Sequence, residues 1–264
     1  SQHTIINLLI FTFYSLSLLS INRINEPTDP AIRCSKAAIS KSRCEKVLKK
    51  ALEIRCITKE EYLTLKKYGA YPSCNSLKGE GLYMLDGWCP CGCFHPRTKI
   101  SAYDKRTQSY DKFLASNILN KKDLFQLVHL SKNSNNNRLY FESSDIRLAV
   151  YGPETKNLIS FKTKHQKTPL IVSDNHPILT SSGIMKAAKN INLNDRLINI
   201  YNQKETITNI EQIAFTGDVI NFSTSREDLI NHVIVANGYL VGDQYWQTLI
   251  EEYKNRIAIR KRAI

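Results

Sequence analysis

The residues of this chain best suited to covalent chemistry lie in the run Cys89-Pro90-Cys91-Gly92-Cys93. A cysteine that directly follows a glycine can turn its own sulfur on the preceding carbonyl. The attack closes a five-membered ring and exchanges the Gly92-Cys93 amide for a thioester. A backbone amide is inert, so the step needs three things: a held geometry, polarisation of the carbonyl, and a proton for the departing nitrogen. Gly92 suits the acceptor position because, without a Cβ, it accepts distorted backbone angles and leaves its carbonyl open. His176 suits the proton transfer, since imidazole titrates near neutral pH.

Other chemistries compete for the same cysteines. With His95 nearby, a metal clasp is conceivable, but alternating cysteines chelate one tetrahedral ion less comfortably than Cys-x-x-Cys pairs, and no metal site is assigned. A redox lock would join Cys89 or Cys91 to Cys93 and block attack until reduced. The third alternative pairs Cys89 and Cys91 with cysteines further upstream and leaves Cys93 as a thiol. The chain holds seven cysteines, so in an oxidising compartment at least one stays out of intramolecular bridges. Cys34, Cys44, Cys56, Cys74, Cys89 and Cys91 can close three bridges in fifteen pairings, and the chemistry asks that Cys93 be the seventh.

The compartment is suggested by the uncharged, mostly apolar run over residues 5–21. It reads as the core of a secretory signal, with a retained membrane anchor or a buried helix as alternatives. Either of the first two places the cysteines in an oxidising space, periplasmic or extracellular.

The rest of the 264 residues must position the site. At 42% hydrophobic and 23% charged, with ten Gly and eight Pro, the composition is that of a folded protein, neither disordered nor collagen-like. A net charge of +13 favours anionic partners in general, a membrane or cell surface included, but no nucleic-acid recognition motif accompanies it. Residues 29–70 read as helical: Asp29-Pro30 as a helix start, apolar residues spaced through 31–52, a capping box at Thr58 to Glu61, and Gly69 as a stop. The widely spaced cysteines there suit disulfide staples for a small core. From about residue 93 short β-prone runs follow at 124–130, 146–151, 158–163, 169–173, 196–201, 206–215, 219–224 and 232–241, which indicates an all-β domain. Residues 132–138 read as a loop, and 244–262 revert to a basic helix, a solvated or docking element with a membrane-surface role as an alternative.

Three segments make sense together. The first begins Cys93-Phe94 and continues to Thr98-Lys99-Ile100. The second holds Ser173-Asp174-Asn175-His176, and the third runs from Gly217 through Asn221 to His232, Gly242 and Asp243. Their order and spacing resemble the Hint family, the hedgehog and intein autoprocessing domains, especially its bacterial intein-like members. The likeness covers residues 93–243. Between the second and third segments, the run from Ala187 to Leu197 is similar to the family's leucine, x, Gly-Asp turn, with Asn194 in the glycine place as a residue tolerant of left-handed backbone.

The resemblance implies an all-β, horseshoe-like Hint domain at 93–243. It would be preceded by a small Cys-rich α-helical domain at 29–92, with a signal or anchor at 1–22, and followed by a C-terminal helix at 244–264. It implies Cys93 as nucleophile, His176 as proton donor, Ser173 in the Thr place as hydrogen-bond partner of the scissile peptide, and His232 as the assistant at the downstream end. Asn221 falls where many members carry an Asp that manages the thiol, a task a neutral amide cannot do as a base. Splicing members end in His-Asn and a nucleophile; here Gly242, Asp243 and Gln244 stand instead, so splicing is expected to be lost.

What remains is a single-turnover, cis-acting cleavage at Gly92-Cys93, with no cofactor. The acceptor would be water, a thiol, or an amine or alcohol on a partner, and a monomer is expected. About 80 residues separate Cys93 from Ser173 and about 43 separate His176 from Val219, which leaves no room for a homing endonuclease. The tail does not look like a sterol-recognition region. The rival expectation is a non-catalytic secreted binding or adhesion module on a degenerate Hint fold.

Overall fold

The computed structural model describes residues 40–76 and 81–249. The apolar run at 5–21, the helix start at Asp29-Pro30, Cys34 and the tail after 249 lie outside the described residues. Among the described residues no helix is long and apolar enough to cross a membrane.

The chain divides into two units, one holding residues 45–89 and the other residues 40–44 together with the chain from Pro90 onward. In the first unit, helix α1 (Lys41–Glu53), whose first turn counts with the second unit, is followed by α2 (Lys59–Tyr68). The expected capping box is present: Thr58 Oγ1 accepts from the Glu61 amide at 3.2 Å, and Glu61 Oε2 accepts from the Thr58 amide at 2.7 Å. Gly69 ends α2 in the left-handed conformation, φ 69°, donating to the Leu65 and Lys66 carbonyls. The sequence reading did not foresee the two-stranded sheet that follows, β1 (Ala70–Ser76) and β2 (Tyr83–Pro90). The core is small, built around Leu48, Ala51, Ile57, Leu65 and Leu85. The Cys56–Cys74 disulfide closes a loop of 18 residues across it. By restricting the unfolded chain such a closure contributes roughly 3 kcal/mol, a large share of what so small a core needs.

The second unit is almost entirely antiparallel sheet. It runs through β3 (Lys99–Asp104), β4 (Ser109–Leu114), α3 (Ala115–Asn120), β5 (Phe125–Leu130), the long β6 (Phe141–Glu154), β7 (Leu158–Thr163) and β8 (Leu170–Val172). Then come β9 (Pro177–Leu179), β10 (Met185–Ala187), β11 (Arg196–Ile198), β12 (Lys204–Ile213), β13 (Gly217–Thr224), β14 (Val233–Ala236), β15 (Tyr239–Gly242) and α4 (Gln244–Leu249). Nine strands form one sheet in the order β10-β9-β15-β14-β3-β5-β6-β13 with β4 beside β3, and four form another, β11-β12-β7-β8. Alternation along β6, with Ile146, Leu148 and Val150 buried and their neighbours exposed or half-exposed, is the period-2 pattern of a strand with one face in the core. Phe94, Ile100, Leu127, Phe161, Phe222 and Ile234 meet in the main cluster. The all-β expectation for this part of the chain is borne out.

Two local expectations differ. The run read as one strand over 232–241 is a hairpin, β14 and β15, turning at Asn237-Gly238 with φ of 50° and 82°. Positive φ at both central residues is the two-residue turn whose twist matches antiparallel strands, and Asn-Gly is its preferred sequence. Asn194 does not adopt left-handed backbone. Its turn closes through a backbone bond from the Asp195 amide to the Asn192 carbonyl at 3.0 Å and through side chains: Asn192 Oδ1 accepts from the Asn194 amide at 2.9 Å, and Asp195 Oδ2 accepts from the Asn192 amide at 3.0 Å.

Candidate functional site

The segment from Cys93 to His95 threads between the two sheets. Phe94 bridges Val172 on β8 and Ile220 on β13. Its amide donates to the Ile220 carbonyl at 2.7 Å, and its carbonyl accepts from the Ile220 amide at 3.0 Å. Cys93 O accepts from the Ser173 amide at 3.0 Å, and the His95 amide donates to the Ile171 carbonyl at 3.3 Å. The peptide is thus held along its length, the rigidity that intramolecular attack requires.

Side chains then grip both ends of one peptide bond. The Cys93 amide N–H donates to Ser173 Oγ at 2.6 Å, and Asn221 Nδ2 donates to the Gly92 carbonyl oxygen at 2.8 Å. Asn221 is fully buried on β13, and its Oδ1 accepts from the Phe222 amide at 2.9 Å, which fixes the direction in which its NH₂ points. Gln244 Oε1 at 2.7 Å and Gln247 Oε1 at 2.8 Å, both on α4, also face Asn221 Nδ2. An amide nitrogen carries two hydrogens, so three acceptors compete for them. A carbonyl that gains negative charge wins that competition, because charge-assisted hydrogen bonds are the stronger ones.

Gly92 is not in the left-handed region, so its contribution is not backbone distortion. It is space: a Cβ there would lie 1.9 Å from Gln247 Nε2 and 3.1 Å from Ser173 Oγ. Cys93 is fully buried, with Leu148, Val150, Leu158 and Val219 around it. Burial pushes its thiol well above the ordinary value, and the Glu154 carboxylate adds to the rise, while a backbone contact at Gly92 opposes it. The sulfur is therefore held as a thiol at neutral pH.

His176 closes a turn from Ser173, its amide donating to the Ser173 carbonyl at 3.1 Å, and its ring packs 4.1 Å from the Phe94 ring, next in chain to the cysteine. It is completely buried, and neither ring nitrogen makes a hydrogen bond of normal geometry. The expectation that it titrates near neutrality is corrected: burial pulls its pKa down to about 3, against a small opposing contribution from the Gly242 backbone. Neutral imidazole can pass a proton on but stores none.

That depression has a consequence for stability. With an unfolded value near 6.5 and a folded value of about 3, the contribution is fully present above pH 6.5 and is lost as pH falls toward 3. Urea unfolding at pH 7 and pH 4.5 is expected to show the native chain losing roughly 2–3 kcal/mol more than His176→Gln over that interval. Equal losses in the two proteins would show that the ring is not held neutral.

His232 and Asp243 form a second cluster. His232 Nδ1 lies 2.7 Å from Asp243 Oδ2 and 3.2 Å from Thr224 Oγ1, and its ring stacks on Tyr245 at 4.4 Å. Burial lowers the His232 pKa, but the Asp243 charge and hydrogen bond more than reverse this, so the net shift is upward. Asp243 Oδ2 also accepts from the Thr224 amide at 3.0 Å, and its Oδ1 accepts from Tyr245 N at 2.9 Å as the cap of α4. Gly242 packs between Pro177 and Trp246, where a Cβ would come within 2.6 Å of each.

The structure thus brings Gly92, Cys93, Ser173 and His176 into one region and sets His232 beside Asp243. Asn221 is brought in too, but as a donor on the Gly92 carbonyl, a contact the sequence reading had not assigned. Gln244 had been read only at the downstream end and Gln247 not at all; the available signal for their shared contact was that glutamines at i and i+3 share a helix face. Cys91 is bonded to Cys44, and Cys89 is also disulfide-bonded. These bonds take both sulfurs out of a metal clasp and out of a lock on Cys93, the one described cysteine outside the disulfides.

No protein-family model and no curated protein matches the chain. Among solved structures the chain is similar to a DnaB intein from Synechocystis sp. PCC 6803, at 18% identity and TM-score 0.45, over 58% of this chain and 98% of that one. It is also similar to an intein from a hyperthermophile, at 15% identity and TM-score 0.49, over 58% of this chain and 99% of that one. Each likeness is one of fold.

Proposed function

We propose that this is a self-processing protein that cuts its own backbone at Gly92-Cys93 by an N–S acyl shift. The observation that carries the reading is the grip on one buried peptide bond: Asn221 on the Gly92 oxygen at 2.8 Å and Ser173 on the Cys93 nitrogen at 2.6 Å. Cys93 Sγ attacks the Gly92 carbonyl carbon, and Asn221 stabilises the oxyanion as it forms. The C–N bond then breaks, leaving a thioester at Gly92 and a free α-amine on Cys93. The proton lost by the thiol is the one gained by that nitrogen, with neutral His176 as the relay, so no net proton is taken up.

A second nucleophile, whether water, a thiol, or an amine or alcohol, then takes the acyl group and restores the thiol. Asp243 supports a reaction that stops there. Its carboxylate caps α4 and pairs with His232, and a carboxylate cyclises far less readily than an asparagine amide. The disulfides agree with an oxidising compartment for such a protein.

Intact-mass measurement of the non-reduced chain, with and without hydroxylamine, tests the reading. The expected product pair is a fragment beginning at Cys93 and a partner ending in a Gly92 hydroxamate. A chain that stays whole under both conditions while folded would overturn it and favour a non-catalytic binding module; a cut at any other bond would mean ordinary proteolysis.

A further inference from the structure

The six cysteines upstream of the proposed cut all stay with the departing chain, so the Cys44–Cys91 bond does not tie the two products together. It does something else. It couples Gly92, one residue past Cys91, to the segment 40–44, and that segment, itself part of the second unit, is held there by a dense set of polar contacts. The Ser40 hydroxyl donates to the Pro153 carbonyl. The Lys41 amide donates to Glu154 Oε2 at 2.7 Å and the Ser42 amide to Glu154 Oε1 at 3.2 Å, with the Ser42 hydroxyl on the same oxygen. Ser42 Oγ accepts from the Thr155 amide at 3.0 Å, and Lys41 Nζ meets Asp174 Oδ2 at 2.5 Å.

Glu154 is only 1% exposed at the end of β6. A buried carboxylate needs donors, and among the described residues beyond the segment Glu154 accepts from the Thr155 and Lys156 amides, each at 3.0 Å. Stripping the segment away would leave this charge short of partners, so departure is opposed. Asp174, the other anchor, belongs to the turn between Ser173 and His176. The dock is therefore built on the same turn that holds the scissile nitrogen.

We propose that residues 153–155 with Asp174 form an exosite for segment 40–44, which presents Gly92 to Cys93 through the Cys44–Cys91 bond and keeps the upstream product bound after the cut. This rests on the self-processing reading, and it adds what that reading lacks, a means by which the domain recognises the chain it releases. Gly92 is already bonded to Cys93, so the dock acts on the cut by holding that peptide in its attack geometry, and the same contacts persist when the covalent link is gone.

The test uses the full oxidised chain. With hydroxylamine as the cleaving nucleophile, Lys41→Ala/Ser42→Ala is expected to cut roughly tenfold or more slowly than the native chain. Native fragments should co-elute on gel filtration at micromolar concentration, while those of the double variant separate. Cutting of the double variant at the native rate, or prompt separation of native fragments, would overturn the exosite.

Should that variant misfold, Glu154→Gln decides. If Glu154 acts only through its charge on Cys93, removing the charge makes the thiol more acidic and speeds the cut; loss of docking slows it. If the native chain does not cut at all, it is the self-processing reading that has failed. The exosite is then judged by amide exchange in the uncut protein, where protected Lys41 and Ser42 amides support it and freely exchanging ones sink it.

Discussion

Cys93→Ala is expected to abolish hydroxylamine-dependent cleavage completely while leaving the protein folded. The proposed acyl intermediate forms on the Cys93 sulfur, and attack on the Gly92 carbonyl through a five-membered ring is open only to the side chain of the residue that follows it. The pocket around it, with Leu148, Val150, Leu158 and Val219, accepts a methyl group in place of a thiol at small cost, since a buried cysteine packs as a small hydrophobe. Because burial first and Glu154 second push the thiol above its ordinary value, the thiolate is scarce at pH 7. The native rate should accordingly climb by up to about tenfold per pH unit above neutrality, as thiolate control requires. Intact mass read over time at pH 7, 8 and 9 measures both effects. A cut that survives in Cys93→Ala, or a native rate indifferent to pH, would contradict the assignment.

Asn221→Ala carries the second largest expected effect. A donor at 2.8 Å from the Gly92 oxygen, buried and held in orientation by the Phe222 amide, has the geometry of an oxyanion stabiliser. Removing such a donor typically costs about 100- to 1000-fold in rate, about 2.7–4 kcal/mol. The loss falls on the rate because the bond strengthens as charge develops on the oxygen, while in the ground state two glutamine carbonyls compete for the same hydrogens. Thioester formation, trapped with hydroxylamine under single-turnover conditions, should slow by that factor with the melting transition little changed. A variant that unfolds would make Asn221 a structural residue; one that cuts at the native rate would remove it from the chemistry.

His232 and Asp243 bear on the downstream end in a different way. Their pairing ties the end of β15 to the start of α4 and uses the carboxylate fully. The junction of β15 and α4 is occupied by a helix cap and by the His232–Asp243 hydrogen bond. The proposal of cleavage without splicing therefore stands on two separate facts, the residue type at position 243 and its hydrogen bonds.

Local signals were legible where chemistry and geometry are set within a few residues. The Thr58 capping box and the Gly69 stop formed where their spacing demanded, and the Asn237-Gly238 pair turned a hairpin as its preferred φ values require, although the run around it had read as one strand. Cys93, Ser173 and His176 stood out because their types and order carry a recognisable chemistry. Charge and composition placed none of them.

What the tertiary structure alone decided are contacts between residues far apart in the chain. Asn221 reaches Gly92 across 129 positions, and Glu154 meets Lys41 across 113. No periodicity or propensity encodes such pairs, which depend on strand order and register. Which of fifteen disulfide pairings is made follows from the same distances. The titration of His176 changed for a related reason: its type predicted a value near neutrality, and complete burial removed the water that would have stabilised its charge. Residue types set what the groups of this site can do; the packing around them sets which charge they carry and what they touch.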